Sequence, residues 1–183
     1  FKDASDFTFI FVGNVDVEKM KPVIAEYLGA LPAVNRKETF KDNKIEMRQG
    51  IYKNEFTKQQ ETPKASVFAF YNGDCKYDLR NNLLLSMTSQ ILDLVYTEKV
   101  REDEGGTYGV YVGGTLQKYP KEKAILQIIF DTAPEKKEKL MKIIFGEIDN
   151  ITKTGPSEAN LNKVKEYMLK KHTEDLKENS YWL

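Results

Sequence analysis

Leu79, Leu83, Met87, Ile91, Leu94 and Val95 recur at helical spacing, and Leu84, Leu85 and Leu92 widen their stripe beyond that of an ordinary surface helix. A helix with so broad an apolar face is stable only when another layer covers it, and a sheet offers a flat surface of that size. The helix is expected to run to about Glu104 and to stop at Gly105-Gly106, where glycine adopts the left-handed cap conformation. Whatever else this chain does, it must build a sheet for that helix.

The rest of the sequence supplies the strands. Phe7-Thr8-Phe9-Ile10-Phe11-Val12 is apolar at nearly every position and reads as a central strand, covered on both faces or lying at an interface. Gly13-Asn14 breaks it. Asp16 then serves as N-cap for a helix carrying Val17, Met20, Val23, Ile24 and Tyr27, with Pro22 bending it or marking a later start. Between Ala33 and Lys64 the composition turns polar and charged, and the alternating patch Ile51–Phe56 is the only strand candidate there. Ala65–Tyr71 reads as a strand closed by the Asn72-Gly73 turn. Tyr108–Leu116 and Ala124–Asp131, joined by the polar stretch 117–123, read as an antiparallel hairpin. Two helices follow, one with Leu140, Ile143, Ile144, Ile148 and Ile151, the other with Leu161, Val164, Met168 and Leu176. Gly155-Pro156-Ser157 separates them, with Ser157 as N-cap. Strands and helices do not alternate strictly, so the order fits an α+β two-layer sandwich: a mixed, largely antiparallel sheet with helices packed on one face.

Size and charge narrow the function classes. A chain of 183 residues with 40% apolar side chains can bury a substantial core, and one α+β domain over residues 1–183 is the expected organisation. Lys and Arg number 28, as do Asp and Glu, so the balance of charge argues against nucleic acid as the main partner. The single cysteine, Cys75, precludes an intrachain disulfide and reads as a small apolar or edge residue. No apolar run approaches the roughly 18 residues that span a bilayer. The chain begins at Phe1 and ends on Tyr181-Trp182-Leu183 without a stop signal, so it reads as an excised, incomplete part of a larger protein.

The chemistry-bearing stretch is Val100-Arg101-Glu102-Asp103-Glu104-Gly105-Gly106-Thr107-Tyr108-Gly109-Val110, where the long helix turns into a strand. A guanidinium forks two N–H donors toward a carbonyl or carboxylate, and a phenol donates to an oxyanion from another direction. Together they can grip a polarised acyl group, although neither activates water. Each also has a structural explanation. Arg101 sits where a helix end favours a cation by roughly 0.3–1 kcal/mol, with Glu98 placed for an exposed ion pair, and Tyr108 suits a half-buried strand.

These residues resemble the Arg/Tyr pair in the second half of pitrilysin/insulinase-type zinc metallopeptidases, a family that includes the mitochondrial processing peptidase. In that family the zinc motif H-x-x-E-H lies in a separate, homologous domain. The chain holds one histidine, His172, and cannot contain that motif. It therefore resembles the C-terminal, non-zinc-binding domain, and the element order resembles the family's repeating unit from Phe7 to Leu176. The resemblance implies that Arg101 and Tyr108 bind substrate, orienting the scissile carbonyl of a peptide and stabilising its oxyanion across a closed chamber. It implies zinc and a glutamate base in the partner domain or subunit, with no catalytic residue and no metal in this piece, and a bacterial periplasmic or cell-envelope setting.

Other candidates are weaker. Glu102-Asp103-Glu104 point in different directions at a helix end and do not form a hard-cation loop. Gly105, Gly106, Gly109, Gly113 and Gly114 follow a helix and enter a strand, the reverse of a phosphate cradle. His172 shares a helix face with Val164, Met168 and Leu176 and reads as a packing residue at the core edge. One histidine so placed supports no Ser-His-Asp or Cys-His arrangement. Two alternatives to the peptidase reading stand: a catalytically inactive scaffold subunit of the same fold, and an unrelated α+β interaction module.

Overall fold

Asp78 opens the central helix by accepting the Asn81 N–H at 2.8 Å, satisfying one of the donors a helix start leaves unpaired. This helix, α2 (Leu79–Tyr96), follows α1 (Val17–Tyr27) and strand β1 (Ala65–Asp74). The hairpin β2 (Val110–Gln117) and β3 (Lys123–Thr132) comes next, then α3 (Lys137–Thr154), α4 (Glu158–Asp175) and the short α5 (Asn179–Trp182). The computed structural model describes residues 2–37, 39, 41–102 and 109–183, with Arg101 and Glu102 described in their backbone alone. It divides into two compact units, Glu46–Met168 on one hand and Phe1–Ile45 with Leu169–Leu183 on the other.

The larger unit is the expected two-layer α+β sandwich. Its three strands lie in the order β1-β3-β2, and both pairings are antiparallel. Alternation along each strand sends Val67 and Ala69, Ile128 and Phe130, and Val110 and Val112 to the same face. There they meet Leu92, Tyr96 and Val100 from the central helix and its extension, and Leu140 and Ile144 of α3. Ile128, Tyr96, Val100 and Ile144 are fully enclosed. Gly114 gives the closest approach between the layers: a Cβ there would lie 2.6 Å from Leu85 Cγ and 2.7 Å from Ser89 Oγ. A second cluster of Ile91, Val95 and Val164 ties α4 to the back of α2. Ser157 caps α4 as expected, its hydroxyl accepting the Asn160 N–H at 3.2 Å.

In the smaller unit, Asp16 caps α1 through the Lys19 N–H at 3.2 Å, and Pro22 lies inside the helix. Asp3 is its one buried charged group among the described residues; it accepts the hydroxyl and backbone N–H of Ser5 and the backbone N–H groups of Val34 and Arg36. These bonds, led by the Ser5 hydroxyl, lower its carboxyl from 3.8 to about 2.

Four expectations need correction. Phe7–Val12 forms no strand, because no described strand supplies the ladder that would pair its backbone; Phe7, Phe9, Ile10 and Phe11 all stay exposed. Ile51–Phe56 is likewise outside any sheet. The apolar stripe of α2 is buried only in part: Ile91, Leu92 and Val95 are enclosed, whereas Leu79, Leu83, Leu84 and Leu94 stay exposed. His172 is exposed rather than at the core edge, and its Nδ1 lies 3.2 Å from the Tyr181 hydroxyl.

Candidate functional site

The corner between α2 and β2 is pinned at both ends by buried valines. After Tyr96 the helix widens into a π-helical turn, Thr97–Glu102, and this turn drives Val100 into the core with none of its surface exposed. The residue after Val100 is Arg101. On the far side Val110, 9% exposed, belongs to the same core cluster, and Gly109 precedes it. The π turn is held from α3 as well: Lys99 Nζ reaches Glu147 Oε1 at 2.5 Å, and the buried Tyr96 hydroxyl donates to the Ile144 carbonyl at 3.0 Å. Burial, reinforced by the nearby Tyr71 and Glu147, raises the Tyr96 phenol well above its ordinary range, so it stays a neutral donor. Such π turns are frequent at functional sites because the extra residue per turn re-aims the chain beyond it.

The Arg101 side chain and the whole of Tyr108 lie outside the described residues, as do Asp103, Glu104, Gly105, Gly106 and Thr107. The structure therefore fixes where the corner leaves and re-enters the fold. Where it re-enters, a hollow of about 510 Å³ opens, lined by Gly109, Val110, Tyr111, Ile129, Phe130, Asp131 and Asp93. Tyr111, which sequence reasoning misses, stands 55% exposed at this hollow. Its hydroxyl would lie 2.5 Å from a Cβ at Gly113, so the ring lies along the strand across that glycine. The signal is present as alternation in Tyr-Gly-Val-Tyr-Val-Gly, which sends residues 111 and 113 to the face opposite the core.

Among the described residues no three His, Cys, Asp or Glu side chains come together as a group able to hold a metal ion. Cys75 is a free, half-buried thiol at the end of β1. Gly113 and Gly114 serve close packing rather than phosphate binding, one under the Tyr111 ring and the other against α2. No helix among the described residues is long and apolar enough to cross a membrane. What the described residues supply at the corner is its two anchors, Val100 and Val110, in one core cluster.

Residues 1–168 match the model of the peptidase M16 inactive domain. The chain belongs to that family. It is 24% identical to an Arabidopsis thaliana protein described as a zinc protease PQQL-like, over all of this chain but 20% of the relative. Among solved structures, the periplasmic protease PqqL of Escherichia coli superposes with a TM-score of 0.72 at 20% identity, over 93% of this chain and 19% of that one. A peptidase M16 inactive domain from Pseudomonas fluorescens gives 0.52 at 25% identity, over 61% and 27%. The ferredoxin protease FusC, solved with Arabidopsis ferredoxin, gives 0.65 at 13% identity over 92% and 18%. The chain spans about a fifth of the length of the curated relative, and its fold is that of the pitrilysin-type, non-catalytic domain.

Proposed function

We propose that this inactive M16 domain is a substrate-holding part of a zinc metalloendopeptidase, in which Arg101 and Tyr108 orient the scissile peptide carbonyl and stabilise the oxyanion. The observation that carries the reading is the corner itself. An arginine and a tyrosine seven positions apart in sequence fall between Val100 and Val110, which share one core cluster. A pair of donors mounted on so firm a base suits transition-state binding, where donors must be in place before charge develops. Arginine serves this role through its permanent charge and planar fork, for which lysine is a poor replacement. Zinc and the glutamate base belong to a homologous domain of the same protein or to a partner subunit. Residues 1–183 then form one part of a longer, multi-domain protease.

The division of labour has a direct test. The 183-residue chain, purified without a tag, should bind no stoichiometric zinc and hydrolyse no peptide, whereas the longer protein does both. Stoichiometric zinc or hydrolysis by the isolated chain would overturn the assignment. In the longer protein, Arg101→Lys should slow turnover at unchanged zinc content, and wild-type turnover would remove Arg101 from the reading.

A further inference from the structure

The sheet of the larger unit has a second face, turned away from α2 and α3. By register, Phe68, Ile129 and Tyr111 form one row across its three strands, and Phe70, Gln127 and Gly113 form the next. Phe68 is 61% exposed, Phe70 51% and Tyr111 55%, so two phenylalanines and a tyrosine stand uncovered on a surface that normally hides such side chains. Because the Tyr111 ring lies across Gly113, with its hydroxyl 3.5 Å from Gln127 Nε2, the face is flattened and keeps a hydroxyl and an amide in its midst.

We propose that this face is an apolar docking surface for a short, extended and uncharged segment of substrate polypeptide. The inference rests on the reading given under Proposed function and adds a binding site to it.

Three observations select that occupant. First, the charges lie at the two ends of the face, Asp131 at one and Asp74 beside Lys123 at the other. Asp131 pairs with Lys64 at 3.0 Å and accepts the Ser66 hydroxyl at 2.5 Å, while Glu46 pairs with Lys121 and Lys123. The middle carries no charge, so a phosphate, a nucleic acid or a charged peptide gains nothing there. Secondly, the face is small. Three strands by five residues cover roughly 15 Å by 17 Å, well short of the ~800 Å² per partner that a stable protein dimer buries; a few extended residues fit that area and a second copy does not. Thirdly, the face runs into the hollow beside the corner, because Tyr111 and Ile129 line both. A chain gripped at the corner can continue across the aromatics, placing alternate side chains against them while Gln127 and the Tyr111 hydroxyl meet its backbone.

The test uses the full-length protein and two fluorescent peptides, one with Leu and Phe at alternate positions and one with Ser in their place. Binding is read by fluorescence anisotropy. Phe68→Ser combined with Phe70→Ser should weaken the apolar peptide about ten-fold, equivalent to ~1.4 kcal/mol, while the polar peptide keeps its dissociation constant. Phe68→Leu combined with Phe70→Leu retains apolar area and should keep most of the affinity, which guards against a folding artefact. Equal affinity of wild type and the serine variant for the apolar peptide overturns the proposal. So does an equal loss for both peptides, or a change of oligomeric state or a large fall in Tm in the serine variant, since these mean that another copy or the protein's own chain covers the face. Anisotropy does not depend on turnover, so an inactive protein that still binds through Phe68 and Phe70 refutes the peptidase reading and leaves this surface standing.

Discussion

A methyl group added at Gly114 would collide with Leu85 and Ser89, both on a packed helix that cannot retreat without opening the core. Gly114→Ala should therefore cost about 1–3 kcal/mol in chemical denaturation. Gly113→Ala meets only the outer end of the Tyr111 ring, which can rotate away, so its cost should be clearly smaller; equal losses at the two positions would refute this assignment. Tyr96→Phe removes a buried hydroxyl from the Ile144 carbonyl and should cost about 1 kcal/mol without changing the unfolding slope. Asp3 gives a pH signature. Its carboxyl titrates at about 2 in the folded chain against an ordinary 3.8, so the charged form is favoured by folding. Its stabilisation is complete above that ordinary value and disappears as pH falls toward 2. An NMR titration should place the Asp3 carboxyl near 2, and a midpoint near 4 would contradict the hydrogen-bonded cradle formed with Ser5, Val34 and Arg36. The sequence hides this cradle: Asp3 sits in an unremarkable polar start, and its partners Val34 and Arg36 lie some thirty residues away.

At the level of elements, what the sequence disclosed depended on whether a pattern was local. The capping residues Asp16 and Ser157 and the hairpin pairing of β2 with β3 rest on neighbours in sequence, and each forms as expected. The run Phe7–Val12 has every local mark of a strand, yet a strand also needs a ladder, which no described segment provides. The α2 stripe promises burial along its length, whereas Leu79, Leu83, Leu84 and Leu94 stay exposed. The π turn at Thr97–Glu102 reads in sequence as ordinary helix, since nothing in the residue pattern marks the extra residue per turn. Its significance lies in Val100. Val100→Ala should lower stability by about 1.5–3 kcal/mol through lost burial, and in the longer protein it should reduce turnover more than an equally destabilising change at Ile144, because it also loosens the base of the corner. Equal effects on turnover would mean that the anchoring of the corner is immaterial.

For the molecule as a whole, the absence of H-x-x-E-H from a chain with one histidine points to a non-catalytic role, and the match to the M16 inactive domain agrees. The pair Arg101 and Tyr108 is proposed from its spacing and its likeness to a family, and both side chains lie outside the described residues; the aromatic face is not legible in sequence, because Phe68 and Phe70 read there as ordinary strand residues. Only the register that sets them beside Ile129 and Tyr111, opposite the helices, reveals a surface. On the proposed reading, the two features form a wall that holds a polypeptide while hydrolysis proceeds on zinc elsewhere in the longer protein. The most direct measurement of that claim is the single-turnover rate of peptide hydrolysis by the longer protein carrying Arg101→Ala or Tyr108→Phe, alongside its thermal stability. Loss of one transition-state donor should lower the rate by roughly 10²-fold or more while Tm stays close to wild type. Wild-type rates in both variants would contradict the account.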